Sequence, residues 1–378
     1  MSLLARLVRW LNAGWAGLLG EPLLLVLLVA GIALQIAAPQ PASALLMRID
    51  WPTLASLAGL LMLTHVFESS GFLNWLAGRM VTHVRTERTL ALLLTGFAAL
   101  LSMWLTNDVA LFVVIPLLAS LHALAPLPFK RLVIFSALAV NAGSLATPLG
   151  NPQNLFLWQS SGISFAHFVR VFGPLALALC IPLLVLCACA FRGRPLGLPE
   201  QAAEARPDWG RAAAAALLFI GFVWLADQHH AGIALLLVVL CLLWLERAAV
   251  LGVDVPLLLI FALMFVVLRG AATLPWVHDG IARLRFDAPL HVYLAGALLS
   301  QGVSNVPATI LLSSFTHDWR ALGYGVSVGG FGCVIGSLAN LIAVRLAKTR
   351  GLWLPFHLVS IPFGLVSLLI GALMLRLT

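Results

Sequence analysis

The feature that most constrains the fold is a pair of polar interruptions that occurs twice within hydrophobic sequence. The first copy has Thr-Asn-Asp at 106–108, followed by a Pro-, Gly- and amide-rich break at 144–154. The second copy has Ser-Asn at 304–305, followed by a Gly-rich break at 329–340. Lipid offers no hydrogen-bond partners, so broken backbone at membrane depth survives only where protein or water encloses it. Two copies at matching places predict a transporter whose site lies between internal repeats.

Composition places these interruptions in a membrane. The chain has 378 residues, of which 62% are hydrophobic and 10% charged, and its mean hydropathy is +1.04. Soluble domains carry about 25% charged residues, so a large soluble core and a disordered chain are both excluded. The pattern predicts an all-α polytopic membrane protein whose partner is the lipid bilayer. The net charge of +8 is typical of basic cytoplasmic loops and requires no nucleic acid.

The cysteines and the N-terminus indicate neither a metal site nor a cleaved leader. The five cysteines lie in apolar stretches without CxxC or Cys/His spacing, so we expect no metal, no disulfide framework and no cofactor beyond a coupling ion. Residues 1–21 precede an apolar run at 22–38 that ends without a good cleavage site. The sequence therefore predicts a cytoplasmic N-terminus followed by an uncleaved membrane helix.

Apolar runs near the ~20 residues needed to cross a bilayer predict the membrane helices. Continuous spans are expected at 22–38, 52–67, 168–190, 210–227, 231–246, 254–268 and 353–376, and broken spans at 131–162 and 325–346. Two further helix pairs, 89–105 with 109–123 and 289–303 with 306–316, each meet at a polar tip. The run 306–316 is too short to cross alone, which favours a re-entrant helical hairpin in each half.

The two halves align on these features, which predicts internal repeats. We expect a first repeat at 22–190, a connecting loop and helix at 191–230, and a second repeat at 231–378. If the hairpin makes no net crossing, five spans precede the second repeat, and the odd number inverts it. Most loop Lys and Arg residues then lie on the same side of the membrane as the N-terminus, although the segment 269–289 carries three arginines on the opposite side. The sequence predicts a multi-pass protein of the bacterial inner membrane with its N-terminus in the cytoplasm.

The hairpin tips place helix ends at membrane depth, where they can bind ions. The N-termini of the second hairpin helices favour anions through free N–H groups and dipoles, whereas the C-termini of the first helices present carbonyls that suit a small cation. Five residues are predicted to contact substrate: Asn107, Asn305, Thr309, Asn154 and Asn340. Six are predicted to hold the coupling ion: Thr106, Asp108, Ser144, Asn151, Ser304 and Ser337.

Asp108 is the most distinctive of these residues. An ionisable group within a membrane segment is unfavourable and is usually functional, and Val306 stands at the equivalent place in the second half. As a carboxylate it could bind Na⁺ or carry a proton, so a Na⁺/H⁺ exchanger is an alternative to an anion carrier. A structural alternative is also open, in which the polar side chains at the tips only cap the following helices.

The breaks favour a binding role. Pro148, Gly150 and Pro152 prevent a continuous helix, and the carbonyls that they free lie among several amide side chains. Walker, Rossmann and nucleophile-elbow patterns are absent from the sequence. A membrane-embedded enzyme, the distant alternative, would place clustered carboxylates or histidines at an interface, whereas this chain keeps its polar groups amide-rich and central.

With these tips and breaks the chain resembles the ion transporter superfamily, which includes citrate–metal symporters, arsenite exporters, dicarboxylate/sulfate symporters and one class of Na⁺/H⁺ antiporters. The pairs at 106–107 and 304–305 stand where that superfamily has its tip pairs, and 147–154 resembles its first unwound segment. The residues Thr-Asn-Asp at 106–108 and Gly-Asn-Pro-Gln-Asn at 150–154 are similar to those of the YbiR-type bacterial inner-membrane proteins of the citrate–metal symporter family. The resemblance implies a homodimer and elevator-type movement.

The tips also depart from that superfamily. Its dicarboxylate symporters carry a hydroxyl after each tip Asn, where this chain has Asp108 and Val306, and no Lys or Arg lies near either tip. Dicarboxylate specificity therefore does not follow. The sequence predicts a secondary active transporter, not an enzyme, that carries a small inorganic or organic anion coupled to Na⁺ or H⁺. It would work by alternating access, with its site at the two hairpin tips.

Overall fold

The described part of the chain is almost entirely helical. The computed structural model describes residues 21–81, 84–196, 206–284 and 286–377. Nearly all of the predicted cytoplasmic N-terminus, 1–20, lies outside these residues. Within them there are nineteen α-helices, one short 3-10 helix and, in place of strands, a single isolated bridge between Thr86 and Pro195. The predicted all-α class is confirmed.

The helices form two series of nine with one helix between them. The first series is α1 (Pro22–Ala37), α2 (Ala42–Arg48), α3 (Trp51–Ser69), α4 (Phe72–Val81), α5 (Glu87–Trp104), α6 (Asn107–Leu124), α7 (Phe129–Ser144), α8 (Pro152–Ser161) and α9 (Phe165–Ala190). The intervening helix is α10 (Trp209–Asp227). The second series is α11 (Ala231–Leu245), α12 (Arg247–Leu251), α13 (Val255–Ala271), α14 (Pro275–Ala282), α15 (Pro289–Val303), α16 (Asn305–Leu312), α17 (Trp319–Val328), α18 (Leu338–Ala347) and α19 (Trp353–Leu377), with the 3-10 helix Val334–Gly336 before α18.

The order and the packing of the helices repeat between the two series. An Asp precedes the third helix of each series and caps it: Asp50 Oδ1 accepts from Thr53 N (3.1 Å), and Asp254 Oδ1 accepts from Leu257 N (2.9 Å). Helix α5 packs on α7 as α15 packs on α17, and α1 packs on α13 as α11 packs on α3. Each series therefore contributes helices to the other's packing.

Several helices are suited to crossing a bilayer. By length and composition, four of the described helices (α6, α9, α10 and α19) are long and apolar enough, and the bent pairs α2–α3 (61°) and α13–α14 (82°) bring the number to six. Their outer faces carry exposed apolar side chains such as Leu217 of α10 (72% exposed) and Leu369 of α19 (66% exposed), which lipid can cover. The chain is a multi-pass membrane protein. The short helices α2, α4, α12 and α14 were not predicted from the sequence.

The first hairpin has both of its ends beside the C-terminal end of α9. At the start of α5, Arg88 Nε donates to Phe191 O (3.0 Å). The end of α6 connects through residues 125–128 to the start of α7, where Arg131 Nη1 donates to Ala190 O (3.1 Å). Helices α5 and α6 therefore leave and return on one side of the helix bundle. Although α6 is long enough to span, it is one arm of this hairpin.

The second hairpin opens beside the other end of α9. Phe315, just after α16, packs against His278 of α14 and against Phe286 just before α15, with ring centroids 5.3 and 6.2 Å apart. At the start of α17, Trp319 packs on Phe168 in the first turn of α9. The arm α16 is shorter than the predicted 306–316. The two hairpins thus enter the bundle from opposite ends of one helix.

Helices α3 and α13, which occupy the same place in the two series, run in opposite directions. Near the end of α13, Arg269 Nη1 donates to the Arg48 carbonyl (2.6 Å), and its Nη2 lies 3.5 Å from Asp50 Oδ2 at the start of α3. At the other side, Asp208 N donates to Ser70 O (2.9 Å), which joins the end of α3 to the start of α10.

The start of α13 lies on that same side. Arg211 in the first turn of α10 pairs with Glu246 at the end of α11 (2.9 Å). The five residues of α12 and a short turn then lead directly into α13. Because the start of α13 is near the end of α3, and the end of α13 is near the start of α3, the two helices are antiparallel.

Most helices of both series contribute buried apolar side chains to one core, and part of it lies between the second hairpin, α9 and α19. Tyr293 and Tyr324 are fully buried, and each hydroxyl has a partner: Tyr293 Oη donates to Leu368 O (2.7 Å) and Tyr324 Oη to Val171 O (2.8 Å). Buried phenols are stable only when their hydroxyls are bonded. These bonds fix α15 against α19 and α17 against α9.

Candidate functional site

The first tip consists of the two residues between α5 and α6. Asn107 is the first residue of α6, and its backbone N donates to Gly150 O in the first break (2.9 Å). Its side-chain Oδ1 accepts from Asp108 N (3.0 Å). Thr106 is buried and makes no side-chain cap bond. The capping alternative therefore does not describe Thr106, and the tip is joined directly to the break.

The first break consists of residues 145–151 between α7 and α8, and one side-chain amide bridges its backbone carbonyls. Asn154 Nδ2 donates to the carbonyls of Ser144 (3.1 Å), Leu145 (3.4 Å) and Thr147 (3.1 Å). These are carbonyls that the end of a helix leaves without partners. The nitrogen of Asn154 is thus committed to the backbone. Its Oδ1, which is buried without a partner among the described residues, is the atom that can meet a ligand.

The other polar residues of the first break form a short chain of hydrogen bonds. Asn151 Nδ2 donates to Ser144 Oγ (3.0 Å), and Asn151 Oδ1 accepts from Asn154 N (2.9 Å). Ser144 Oγ donates in turn to Asn141 O (3.2 Å). All four residues are buried. A hydroxyl oxygen has two acceptor sites, so Ser144 Oγ retains one that could reach a cation.

Close backbone contact holds the first break against α5. A Cβ built on Gly150 would lie 2.3 Å from Ser144 O and 2.7 Å from Ser102 O, distances that no side chain tolerates. Thr147 Oγ1 also donates to the carbonyl of Met103, one turn before the tip. Glycine at 150 therefore allows the break to lie directly on the hairpin.

The second tip is a single residue in a strained conformation. Ser304 has φ of 76°, a region that is uncommon for residues with a Cβ. Asn305 begins α16, and its Oδ1 accepts from Val306 N (3.0 Å) and from Ser304 Oγ (3.3 Å). Thr309 Oγ1 donates to Asn305 O (2.7 Å). Asn305 Oδ1 is therefore engaged locally, which leaves the Asn305 amide nitrogen to face other groups.

The second break, residues 329–337, is closed by two amides. Asn340 Nδ2 donates to Gly330 O (2.9 Å). Asn340 thus binds a carbonyl of the second break in the same way that Asn154 binds carbonyls of the first. Gln301, one turn before the tip, donates through Nε2 to Gly329 O (2.7 Å) and Phe331 O (2.8 Å). Its Oε1 accepts from Cys333 N (2.8 Å). Gln301 was not predicted as a site residue from the sequence, although an amide inside an apolar hairpin helix is a visible signal.

The two halves meet through buried asparagines. Asn141 Nδ2 of the first half donates to Asn340 Oδ1 of the second (2.7 Å). A Cβ on Gly330 would lie 3.5 Å from Asn305 Nδ2 and 3.6 Å from Asn141 Oδ1. The second tip, the second break and Asn141 are thus in one place. Ser337 Oγ lies at the edge of the break and accepts from Ala339 N (3.3 Å).

Four buried oxygens in the first tip or within three residues of a break have no hydrogen-bond partner among the described residues. They are Thr106 Oγ1, Gln153 Oε1, Asn154 Oδ1 and Ser327 Oγ. Buried polar atoms in folded proteins are almost always bonded, so each such atom requires an explanation. Neutral oxygens of this kind are ligands that hard cations prefer. The first half therefore contains the larger share of the oxygens that could bind a cation.

Asp108 lies on the accessible side of the first tip. It is half-buried, and the residues one and two turns further along α6, Phe112 and Pro116, are exposed. A cavity of about 430 Å³ lined by Phe112, Glu68 and Asn74 continues this face toward the base of the hairpin. The carboxylate at the tip is thus partly exposed, whereas the amide groups deeper in the site are buried.

Two hairpins that enter from opposite ends of the bundle, each joined at its tip to a broken helix, are typical of membrane transporters. The sequence pattern of the citrate transporter family matches residues 10–317. The chain belongs to the citrate transporter family.

Three relatives illustrate its range. The chain is 41% identical over 358 residues to the "Inner membrane protein YbiR" of Escherichia coli, covering 94% of this chain and 96% of that protein. It is 32% identical over 309 residues to the "Uncharacterized transporter MJ0456" of Methanocaldococcus jannaschii, covering 79% and 82%. A shorter match, 32% over 130 residues (34% and 27%), is to the "Silicon efflux transporter LSI3" of Oryza sativa. The family and these relatives are transporters or membrane proteins rather than enzymes.

Proposed function

We propose that this protein is a secondary active transporter of a small inorganic or organic anion, coupled to Na⁺ or H⁺. The observation that carries the proposal is the bond from Asn141 Nδ2 to Asn340 Oδ1, which joins the first broken helix to the second beside the Asn305 tip. Such a junction places the site at the contact between the two halves, so that access from either side follows from their relative movement.

The chemistry of the tips supports an anion as substrate. Helices α6 and α16 both begin at a buried Asn, and helix N-termini attract negative charge. Asn107 and Asn305 would contact the anion, while Thr309, Asn154 and Asn340 would shape the site around it. Lys and Arg are absent from both tips, so an anion with more than one charge would require cations bound beside it.

The oxygens of the first half support a coupling cation. Thr106 Oγ1 and Asn154 Oδ1 are buried without partners among the described residues, and Ser144 and Asn151 lie in the same break. We place the first cation there, with Asp108 at its accessible side. Ser304 and Ser337 would serve the equivalent role in the second half, where the oxygens are more fully engaged.

Topology completes the proposal. The opposite directions of α3 and α13, and the hairpins at opposite ends of α9, support two inverted repeats that divide near 22–190 and 231–378. We propose that the N-terminus and the base of the first hairpin face the cytoplasm, because that base carries Arg85, Arg88, Lys130 and Arg131. The name of the Escherichia coli relative supports a bacterial inner membrane. A homodimer is proposed from the family resemblance alone.

The alternative is a Na⁺/H⁺ exchanger that uses Asp108, and the accessible position of this carboxylate favours it. Sealed proteoliposomes loaded with a pH dye distinguish the two. Citrate, succinate, sulfate, arsenite, phosphate and silicic acid would each be added with and without Na⁺. Flux that requires one anion and its coupling ion supports the carrier. Proton flux driven by Na⁺ without any anion rejects it.

The Asp108→Asn variant sharpens the comparison. An exchanger loses all coupled flux when its only carboxylate at the tip is neutralised. A carrier retains binding of its anion, measured as a substrate-dependent rise in thermal stability, because the asparagines and helix N-termini are unchanged. Asp279→Asn, a change of the same kind in α14 outside the site, serves as the matched control and is expected to behave like the wild type.

A further inference from the structure

An apolar slot runs beside the first hairpin tip. It has a volume of about 610 Å³ and is bounded by α3, α4, α10, the end of α5 and the start of α9. Two of its lining residues are Leu105, which belongs to the first tip, and Leu149, which belongs to the first break, and both are buried. The volume lies within the about 300–1,000 Å³ typical of small-molecule sites. Nothing in the proposed transport chemistry uses this space.

The lining excludes water and ions as occupants. Among the described residues that line the slot, Asp227 is the one with a charged side chain, and its Oδ1 accepts a hydrogen bond from Phe165 N. The other lining side chains are apolar apart from the indole N–H groups of Trp104 and Trp224. A bound water needs two to four polar partners, and apolar cavities without them stay dry. The occupant that suits these walls is hydrocarbon.

The slot is open to hydrocarbon from the bilayer. Along α10 it is lined from Ala216 to Asp227, which at 1.5 Å per residue is a length of about 16 Å. Ile220 and Trp224 line it and are also 66% and 63% exposed on the outer face of the protein. A chain of lipid therefore has a lateral route into the slot, and the length suits an extended acyl chain.

One end of the slot has the composition of a membrane interface. Phe72 lines the slot and packs on Trp209 with ring centroids 5.8 Å apart, and Trp209 packs on Trp75 at 5.1 Å. Arg79 lies over the Trp75 ring at 5.9 Å. Tryptophans and a basic residue together are typical of the headgroup level. They suit the phosphate of a phospholipid whose tail lies in the slot.

We propose that this slot binds one acyl chain of a membrane phospholipid, whose phosphate lies beside Arg79 and Trp75. The tail then contacts Leu105 and Leu149, so the lipid is packed against the first tip. This lipid site does not depend on which substrate the protein transports. Rejecting the lipid site would therefore leave the proposed transport function unchanged, and the reverse also holds.

Photolabelling in nanodiscs tests this site. The probe is phosphatidylglycerol with a diazirine in its acyl chain, and adducts are mapped by peptide mass spectrometry. Leu105 and Leu149 are 6% and 1% exposed, whereas Leu217 is 72% exposed, so bulk lipid labels only the last. Adducts at 105 and 149 in the wild type are the expected result. If the wild type gives adducts only at Leu217 and other exposed residues, that result alone overturns the proposal.

Variants that fill the slot provide the second measurement. Ala216→Phe should lower labelling at 105 and 149 about tenfold, which corresponds to about 1.4 kcal/mol. Ala213→Phe, the same change on the exposed face of α10, should leave the labelling unchanged. Ala166→Phe fills the slot from the α9 side and replaces the first variant if that one does not fold. Equal labelling in the filling variants and the control would contradict the assignment.

Discussion

Gln301 provides a quantitative test of how the second hairpin is held to its broken helix. Its amide makes three hydrogen bonds of 2.7–2.8 Å to backbone groups at 329, 331 and 333. Hydrogen bonds in membrane proteins contribute about 0.6 kcal/mol each on average, and unsatisfied buried groups cost about 1–3 kcal/mol each. Gln301→Leu should therefore lower the free energy of unfolding by about 2–4 kcal/mol. Titration of mixed micelles with a denaturing detergent, followed by tryptophan fluorescence, measures this change.

Gln159 supplies the matched control for this experiment. Its amide oxygen and nitrogen are both buried in α8, with no hydrogen-bond partner among the described residues. Replacing an unsatisfied polar group by an apolar one of similar size is neutral or stabilising, so Gln159→Leu should not lower stability. Equal losses in the two variants, or a loss below about 0.5 kcal/mol for Gln301→Leu, would refute the reasoning.

Three sets of substitutions test the contacts at the first break, between the two halves and at the end of α13. Gly150→Ala should abolish folded protein on size-exclusion chromatography, because its Cβ would lie 2.3 and 2.7 Å from two carbonyl oxygens, whereas Gly96→Ala, which meets open space, should be tolerated. A double-mutant cycle of Asn141→Ala and Asn340→Ala should give a coupling of about 0.6–1.7 kcal/mol; additive losses would show that the 2.7 Å bond is unimportant. Arg269→Lys should lower thermal stability, because lysine cannot keep both the bond to the carbonyl and the stacking on two phenylalanine rings; an unchanged melting temperature would contradict this.

The hairpins and the breaks could be predicted from the sequence because their signals are local. Pro148 and Pro152 interrupt a helix wherever they stand, and a run as short as 306–316 cannot cross a bilayer. The helix boundaries were predicted less accurately. Helix α16 ends at Leu312 instead of residue 316, and the second broken helix begins at Trp319 instead of residue 325. Asn and Ser after an apolar run marked the tips, but only the structure shows that Ser304 alone forms the second tip.

The hydrogen bonds that hold each hairpin to its break could not be predicted, because they join residues distant in sequence. Met103 is three residues before Thr106, and Gln301 is three residues before Ser304, so the two occupy equivalent positions. In the first half, Thr147 of the break donates to the carbonyl of Met103. In the second half, the side chain of Gln301 bonds the backbone of the break. The two halves join the same elements through different side chains, one from the break in the first half and one from the hairpin in the second, and alignment of residue types cannot reveal this.

Side-specific labelling tests the central claim of two hairpins that enter from opposite faces. Ala123→Cys near the end of α6 and Ser314→Cys just after α16 are both exposed positions at the hairpin bases. Each would be introduced separately after replacement of the five native cysteines. In intact spheroplasts a membrane-impermeant maleimide should label Ser314→Cys and leave Ala123→Cys unlabelled until the membrane is opened. Labelling of both cysteines from the same side would contradict the inverted arrangement and the site proposed at its centre.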